Sequence, residues 1–388
     1  MTTNLFILFI LAVTQIIGWG VVGLLPVIAQ PIATEFNVSL SGVFIGTSVM
    51  YVAMGLAAPL VGGAFRRFGT RQVMVAGAAL IGFGLLLLSL STGILMFWTA
   101  WILIGLAGAM FLTTAAYAYL AEYTKEHARG LIGTLMLVTG LAGSVFWPVT
   151  SLLDHMVGWR EACLIYAGVM ILMVCPLVHF LLPATSNLIA TAPRHASGRK
   201  GSVFFLLVAT IAINSFVTFG IQAVGIQLLQ TMGMDIAKAV AISSLLGIFK
   251  VGGRVVDLLG GRRWDGLSTG MVSGAMMPIG LAALWFGGTG NLAVGGYLVL
   301  FGVGSGAFAV ARATMPLVFF ESADYTAAMS TIALPMNLIN ALAPPLLVTL
   351  MVDVGTQAVF LFLGALSILA FAILWQLKGM KVPSMLAK

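Results

Sequence analysis

The stretch GGAFRRFGTR, at Gly62–Arg71, is the part of the sequence that decides the fold. It is a short basic segment between two long apolar runs, and a second copy, GRVVDLLGGR, stands at Gly253–Arg262. The glycines at the first and eighth positions and the arginine at the tenth agree between the copies, which lie 191 residues apart in a chain of 388. An offset close to half the chain length predicts two homologous halves, each with a basic turn on the same side of a membrane.

The composition is that of an integral membrane protein. Hydrophobic residues make up 61% of the chain, charged residues only 7%, and the mean hydropathy is +1.12. Because a soluble domain carries about 25% charged residues, a soluble enzyme is excluded, and the net charge of +7 is interpreted through membrane topology rather than nucleic-acid binding. The two cysteines form neither a disulfide framework nor a metal-binding spacing. No metal or cofactor is expected.

Twelve apolar segments follow one another along the chain, each long enough to cross a bilayer. They are predicted at 4–29, 40–64, 72–91, 94–119, 129–153, 159–182, 203–230, 236–259, 268–287, 291–318, 327–351 and 355–377. The longest polar stretch, Pro183–Ser202, separates six segments from six and is typical of a linker. We therefore predict an all-α membrane protein with twelve transmembrane helices in two pseudo-symmetric six-helix bundles, 1–182 and 203–388, joined by a cytoplasmic linker at 183–202.

The lysines and arginines indicate how the chain crosses the membrane. With the N-terminus inside, 13 of the 18 basic residues fall in the inner loops, the linker and the C-terminal tail. Only Arg160 and Lys238 fall in outer turns. The positive-inside rule therefore predicts that both termini and the linker lie in the cytoplasm.

The two basic segments resemble the loop motif of the major facilitator superfamily, G-x-x-x-D-R/K-x-G-R-R/K, which follows the second and eighth helices. The first copy matches the motif at Gly62, Arg67, Gly69 and Arg71. The second copy matches it at Gly253, Asp257, Gly260 and Arg262. The resemblance implies that these residues latch helix ends in the outward-facing state. Arg66 stands at the acidic position of the first copy, a departure that weakens the expected latch in that half.

Membership of this superfamily implies transport of a small molecule by alternating access, with two halves rocking about a site near the membrane midplane and no use of ATP. Two short features, Ile17–Gly20 (IGWG) and Gly158–Arg160 (GWR), are similar to bacterial monocarboxylate-porter-like and oxalate/formate-antiporter-like members. The resemblance implies a monomer in the inner membrane of a bacterium, surrounded by the lipid bilayer and without a nucleic-acid partner.

Three basic residues, Lys250, Arg254 and Arg312, lie within predicted helices, where each charge costs about 2.5–3.5 kcal/mol. Arg254 is expected to pair with Asp257 beside the cytoplasmic turn, and Lys250 either snorkels toward that pair or awaits an anion. Arg312 either pairs with Glu321, Asp257 or helix carbonyls, or it clamps a carboxylate or phosphate. No acidic residue lies at the middle of a predicted helix, which disfavours proton-coupled export of cations.

Neutral polar side chains complete the predicted site. They are Gln15 and Trp19 on helix one, Asn214, Gln222 and Gln227 on helix seven, and Asn337 and Asn340 on helix eleven. Buried amides in lipid also bridge helices, so each is either a substrate contact or an interhelical bond.

The sequence predicts a transporter of a small organic anion anchored by Lys250 and Arg312. The alternatives are an efflux transporter for a neutral or amphipathic compound and a non-transporting membrane sensor on the same fold. An integral membrane enzyme is disfavoured because no acid, base or metal set is clustered.

Overall fold

The computed structural model of the chain describes residues 2–124, 128–184, 201–260, 264–319 and 322–380. Most of the predicted linker lies outside these ranges. So do Arg262 and the side chains of Arg254, Asp257 and Asn337. The expectations attached to these residues therefore remain predictions.

The chain divides into two compact units, Met1–Thr191 and Ala192–Lys388. The described part of the first unit is built of α1 (Thr2–Val22), α2 (Leu25–Phe36), α3 (Leu40–Phe68), α4 (Thr70–Ser89), α5 (Ile94–Phe111), α6 (Thr113–Thr124), α7 (Ala128–Thr139), α8 (Ala142–Val157) and α9 (Trp159–Gly168). Two π-helical segments, Val169–Val174 and Leu177–Leu181, continue α9. Consecutive helices combine into spans, so that α1–α2, α5–α6 and α7–α8 each form one interrupted span.

The described part of the second unit is also helical. It contains α10 (Ser202–Thr231), α11 (Ile236–Gly260), α12 (Gly266–Gly287), α13 (Asn291–Tyr297), α14 (Gly304–Thr314), α15 (Pro316–Phe319), α16 (Ser322–Asp353) and α17 (Thr356–Gly379). A π-helical segment, Leu298–Val303, joins α13 to α14 within one span. Such segments widen the helix locally and are often found near functional sites.

Eleven helical stretches in the described residues are long and apolar enough to cross a membrane. A twelfth, Leu338–Asp353 at the end of α16, is apolar but shorter. Large apolar side chains such as Leu60, Phe286 and Leu292 point outward, which is unfavourable in water and favourable against lipid. The predicted all-α membrane fold is confirmed.

The basic segment that follows the second span is mostly helical, which the sequence analysis did not predict. Helix α3 continues to Phe68, four residues beyond the predicted end of its apolar segment, and α4 begins at Thr70. The turn therefore consists of Gly69 alone, with φ of 81° and its N–H bonded to Phe65 O. This φ is strained for a residue with a Cβ, so glycine is the residue that allows so short a turn.

The helix starts reveal an internal register different from the 191 residues inferred from the motif copies. Helix α4 begins at Thr70 and α12 begins at Gly266, which is 196 residues later. Gly84, packed against Ile104, and Gly280, packed against Phe301, are also 196 residues apart. This register aligns the sequence Arg-Arg-Phe at 66–68 with Arg-Arg-Trp at 262–264. The motif match at Gly253 is therefore displaced from the true repeat, because sequence identity in short glycine-rich runs does not specify helix ends.

Candidate functional site

Lys250, a predicted anchor on α11, is half-buried. Its ammonium group donates a hydrogen bond of 2.9 Å to Gln222 Oε1 on α10. Among the side chains that the structure describes, which do not include that of Asp257, no carboxylate forms an ion pair with this lysine. An amide oxygen carries only a partial negative charge, so this neutral acceptor compensates the charge of an ammonium group only in part.

Arg312, the second predicted anchor, is half-buried on α14. Its Nη1 lies 3.3 Å from Ser215 Oγ on α10 and 3.4 Å from Met336 Sδ on α16. The guanidinium group has five N–H donors in a planar fork, which suits bidentate binding of a carboxylate or phosphate. The side chains of Glu321 and Asp257, its predicted acidic alternatives, lie outside the described residues.

The helices that carry the two anchors cross with their backbones in contact. A Cβ added to Gly306 on α14 would overlap the carbonyl oxygen of Lys250, and one added to Gly253 on α11 would overlap the backbone of Ala307. Glycine allows such close approach, as small residues commonly do between membrane helices. The crossing therefore fixes the height of Lys250 against α14. It also shows that Gly253 packs inside the unit rather than in a turn.

The buried amides of the second unit have unused acceptor capacity. Asn214, 1% exposed on α10, donates to Thr210 O, while its Oδ1 has no hydrogen-bond partner among the described residues. Asn340 Oδ1 on α16 is likewise buried without a partner. Gln227, five residues beyond Gln222 on the same helix, is also buried. An acceptor left unpaired in a buried place costs about 1–3 kcal/mol, so Asn214 and Asn340 are acceptors available to a donor.

Gln15 and Trp19, the predicted site residues of the first span, stabilise an interruption of the fourth. Helix α5 ends at Phe111 and α6 begins at Thr113. Gln15 Nε2 donates to Phe111 O at 2.8 Å, and Trp19 Nε1 donates to Thr113 Oγ1 at 2.6 Å. Their donors therefore serve the helix break, as the bridging alternative anticipates. Gln15 Oε1 remains buried without a partner in the described residues.

The first span is itself interrupted, and the fifth span stabilises it. The chain turns at Gly23 and Leu24 between α1 and α2, and Trp147 Nε1 on α8 donates to Gly23 O at 2.9 Å. A Cβ added to Gly20 would overlap the ring of Phe146. The GWG sequence of the first span thus combines close packing with a side chain that supports the break in the fourth.

A polar cluster at the predicted outer end of the first unit was not anticipated as a set. Arg160 donates to Glu35 Oε1 through Nη2 at 2.6 Å and through Nε at 3.0 Å, and to Ser89 O through Nη1 at 2.6 Å. Trp159 Nε1 donates to Glu35 Oε2 at 2.7 Å. The guanidinium group also stacks 4.3 Å from the Trp159 ring centroid. Three spans are joined here, and the GWR sequence was the signal that marked the position.

The predicted gating residues of the first copy make separate contacts within the first unit, and their gating role stays a prediction. Arg71 Nη1 donates to Leu182 O at 3.1 Å, which ties the start of α4 to the end of the sixth span. Arg67 is exposed and lies over the ring of Phe68. Gly62 has open space where a Cβ would stand. In the second copy, Gly260 is the last residue of α11.

Comparison with known proteins supports the same fold. The family model described as Major Facilitator Superfamily matches residues 8–299. A comparison with curated protein sequences found no significant match.

Three of the solved structures that resemble the chain are structures of transporters. The bacterial homologue of the human lysosomal transporter Spinster, in its inward-facing and occupied conformation, has a TM-score of 0.75 at 14% identity, covering 97% of each chain. The human organic anion transporter MFSD10 (TETRAN) has a TM-score of 0.70 at 16% identity, covering 96% of this chain and 99% of its own. The inward-facing, unoccupied Spinster homologue also has a TM-score of 0.70, at 14% identity, covering 97% of this chain and 95% of its own. At these identities the likeness shows the fold alone. With the matching family model, it establishes that the chain belongs to the Major Facilitator Superfamily and is a multi-pass membrane transporter of the alternating-access type.

Proposed function

We propose that the protein carries an organic anion across the membrane, with Lys250 and Arg312 as its anchors. The observation that carries this proposal is the environment of Lys250, which is half-buried in an apolar helix and bonded to the neutral oxygen of Gln222. A charge-assisted bond to an anion is about twice as strong as one between neutral groups. An anion would therefore compensate the ammonium group better than the amide does.

Arg312 supports the same substrate charge. Its Nη1 lies 3.3 Å from Ser215 Oγ and 3.4 Å from Met336 Sδ, and both of these atoms are uncharged. A carboxylate or phosphate placed there could accept two parallel N–H bonds from the fork. One similar structure is that of an organic anion transporter, which is compatible with this substrate.

Transport by variants that lack one positive charge tests the proposal. Lys250→Gln and Arg312→Gln are each expected to reduce organic-anion uptake into proteoliposomes at least about tenfold, since a hydrogen bond to a charged group contributes about 1.5–3 kcal/mol. A panel of carboxylates, with the corresponding neutral amides and amines, identifies the transported class. Lys238→Gln is the matched control, because it removes an exposed lysine of α11 far from Lys250 along the chain.

Unchanged anion uptake by both correctly inserted variants would contradict the proposal. Equal uptake of a neutral amide and its carboxylate would instead favour the alternative substrate, a neutral or amphipathic compound.

We also infer a monomer in a bacterial inner membrane with both termini in the cytoplasm. The orientation is supported by the distribution of lysine and arginine, which are concentrated in alternate loops. The monomer and the bacterial membrane follow from the family resemblance alone. A C-terminal reporter enzyme that is active only outside the cytoplasm should stay inactive. Activity of that reporter would reverse the assigned orientation.

A further inference from the structure

The break in the fourth span leaves two backbone carbonyl groups without a donor. Helix α5 ends and α6 begins on either side of Leu112, near the middle of the span Ile94–Thr124. The N–H of Leu112 still bonds to Gly108 O, but among the described residues no group donates to the carbonyl oxygens of Ala109 and Met110. Inside a membrane such oxygens are costly unless something satisfies them.

Gln15 brings a third acceptor to the same break. Its side chain is 0% exposed, and its Nε2 donates to Phe111 O at 2.8 Å. Its Oε1 is bonded to the same carbon as Nε2 and therefore lies within about 5 Å of Phe111 O. This Oε1 has no hydrogen-bond partner among the described residues. A Cβ added to Gly18 would overlap the ring of Phe111, so α1 lies directly against the break.

The chemistry of these three atoms indicates what would bind there. All are neutral oxygens, and two belong to the end of α5, which carries the negative end of its helix dipole. A water molecule donates only two hydrogen bonds, whereas a metal cation accepts several oxygen ligands at once. In broken transporter helices, freed carbonyls and helix C-terminal ends coordinate Na⁺ near the midplane. None of the three is a carboxylate, the ligand by which divalent cations are usually held.

We infer that the break between α5 and α6 binds a monovalent metal cation, Na⁺ or K⁺, through Gln15 Oε1 and the carbonyl oxygens of Ala109 and Met110. All of these atoms belong to the first unit, whereas Lys250 and Arg312 belong to the second, so the inference does not rest on the proposed function. The sequence analysis expected no metal, because backbone carbonyl ligands leave no mark in a sequence.

Thermal unfolding of the purified protein in NaCl, KCl and choline chloride of equal ionic strength tests the inference. Choline is too large to enter a helix break. We expect the melting temperature to rise with the concentration of Na⁺ or K⁺, by at least about 2 °C over choline at ten times the dissociation constant. Binding of radiolabelled Na⁺, or of Rb⁺ in place of K⁺, should give one ion per chain.

Substitutions at Gln15 place the ion at the break. Gln15→Leu removes one oxygen ligand and should weaken cation binding at least about tenfold. Gln15→Glu supplies a charged oxygen and should strengthen it by a similar factor, so this variant decides the matter even if Gln15→Leu does not fold. Thr14→Val is the matched control, because Thr14 is equally buried and its hydroxyl bonds to Ile10 O in its own helix. It should keep the affinity within about twofold.

Two results would overturn the inference. Equal melting temperatures in the three salts, with no radiolabelled ion bound, would mean that water fills the break. Cation binding that Gln15→Leu and Gln15→Glu leave unchanged would place the ion elsewhere in the molecule. Anion uptake is a separate measurement, so the cation site and the proposed function can fail independently of each other.

Discussion

A Gly306→Val variant is expected to lose most of its folded protein. The Cβ of valine would overlap the carbonyl oxygen of Lys250, and the contact involves backbone on both sides, so no side-chain rotation relieves it. Helices α11 and α14 would have to separate, which also withdraws Gly253 from Ala307. Overpacking typically costs about 1–3 kcal/mol and occasionally more, and we expect the upper end here because the overlap is with backbone. The measurement is the yield of monodisperse protein on size exclusion, with the melting temperature of any that remains.

Gly295→Val is the matched control for this prediction. Gly295 lies on α13, in the same span as Gly306, and a Cβ added there meets nothing within 4 Å. Both variants replace glycine by valine in the same transmembrane span. They differ mainly in that only Gly306 lies at the crossing of two helices. The control should change stability by less than about 0.5 kcal/mol. If both variants have the same melting temperature as the unmodified protein, the close crossing of α11 and α14 is not present in the molecule.

An Arg160→Met variant is expected to destabilise the first unit by about 1–3 kcal/mol, because it removes every bond that the guanidinium group makes. Glu35 loses two donors and Ser89 O loses its bond from Nη1. The carboxylate is partly exposed and keeps the indole N–H of Trp159, which keeps the loss below that of a fully buried ion pair. The thermal unfolding of the purified variant measures the effect.

Lys238→Met serves as the control, since it removes the other basic residue of the predicted outer turns. Its side chain is exposed, and its described hydrogen bond is made by the backbone N–H, to Asp235 Oδ1. A loss of stability in this variant equal to that of Arg160→Met would point to net charge rather than to the bonds of Arg160. Arg160→Lys should recover little, because an ammonium group cannot bridge Glu35 and Ser89 in the same fork geometry.

The positions of the charged anchors could be predicted from the sequence, but their partners could not. Lys250 and Arg312 stand out because lysine and arginine are rare in apolar segments, a property visible at each position alone. Ser215 and Met336 carry no such mark, and their contact with Arg312 depends on three helices meeting. Gln15 shows the same limit, because its bond to Phe111 O joins residues 96 positions apart.

What the sequence alone determined about this protein was its class: an all-α membrane fold whose few intramembrane charges are positive. These properties can be found from consecutive residues alone, because each span needs about 20 apolar residues and is recognised by its hydropathy. The tertiary structure decided where helices begin, break and cross. It moved the repeat register from 191 to 196 residues, brought Glu35 to Arg160, and placed a partner of each anchor on α10. Such features depend on which faces of distant helices come into contact. Hydropathy does not predict these faces, because a face that contacts lipid and a face that contacts another helix are both apolar.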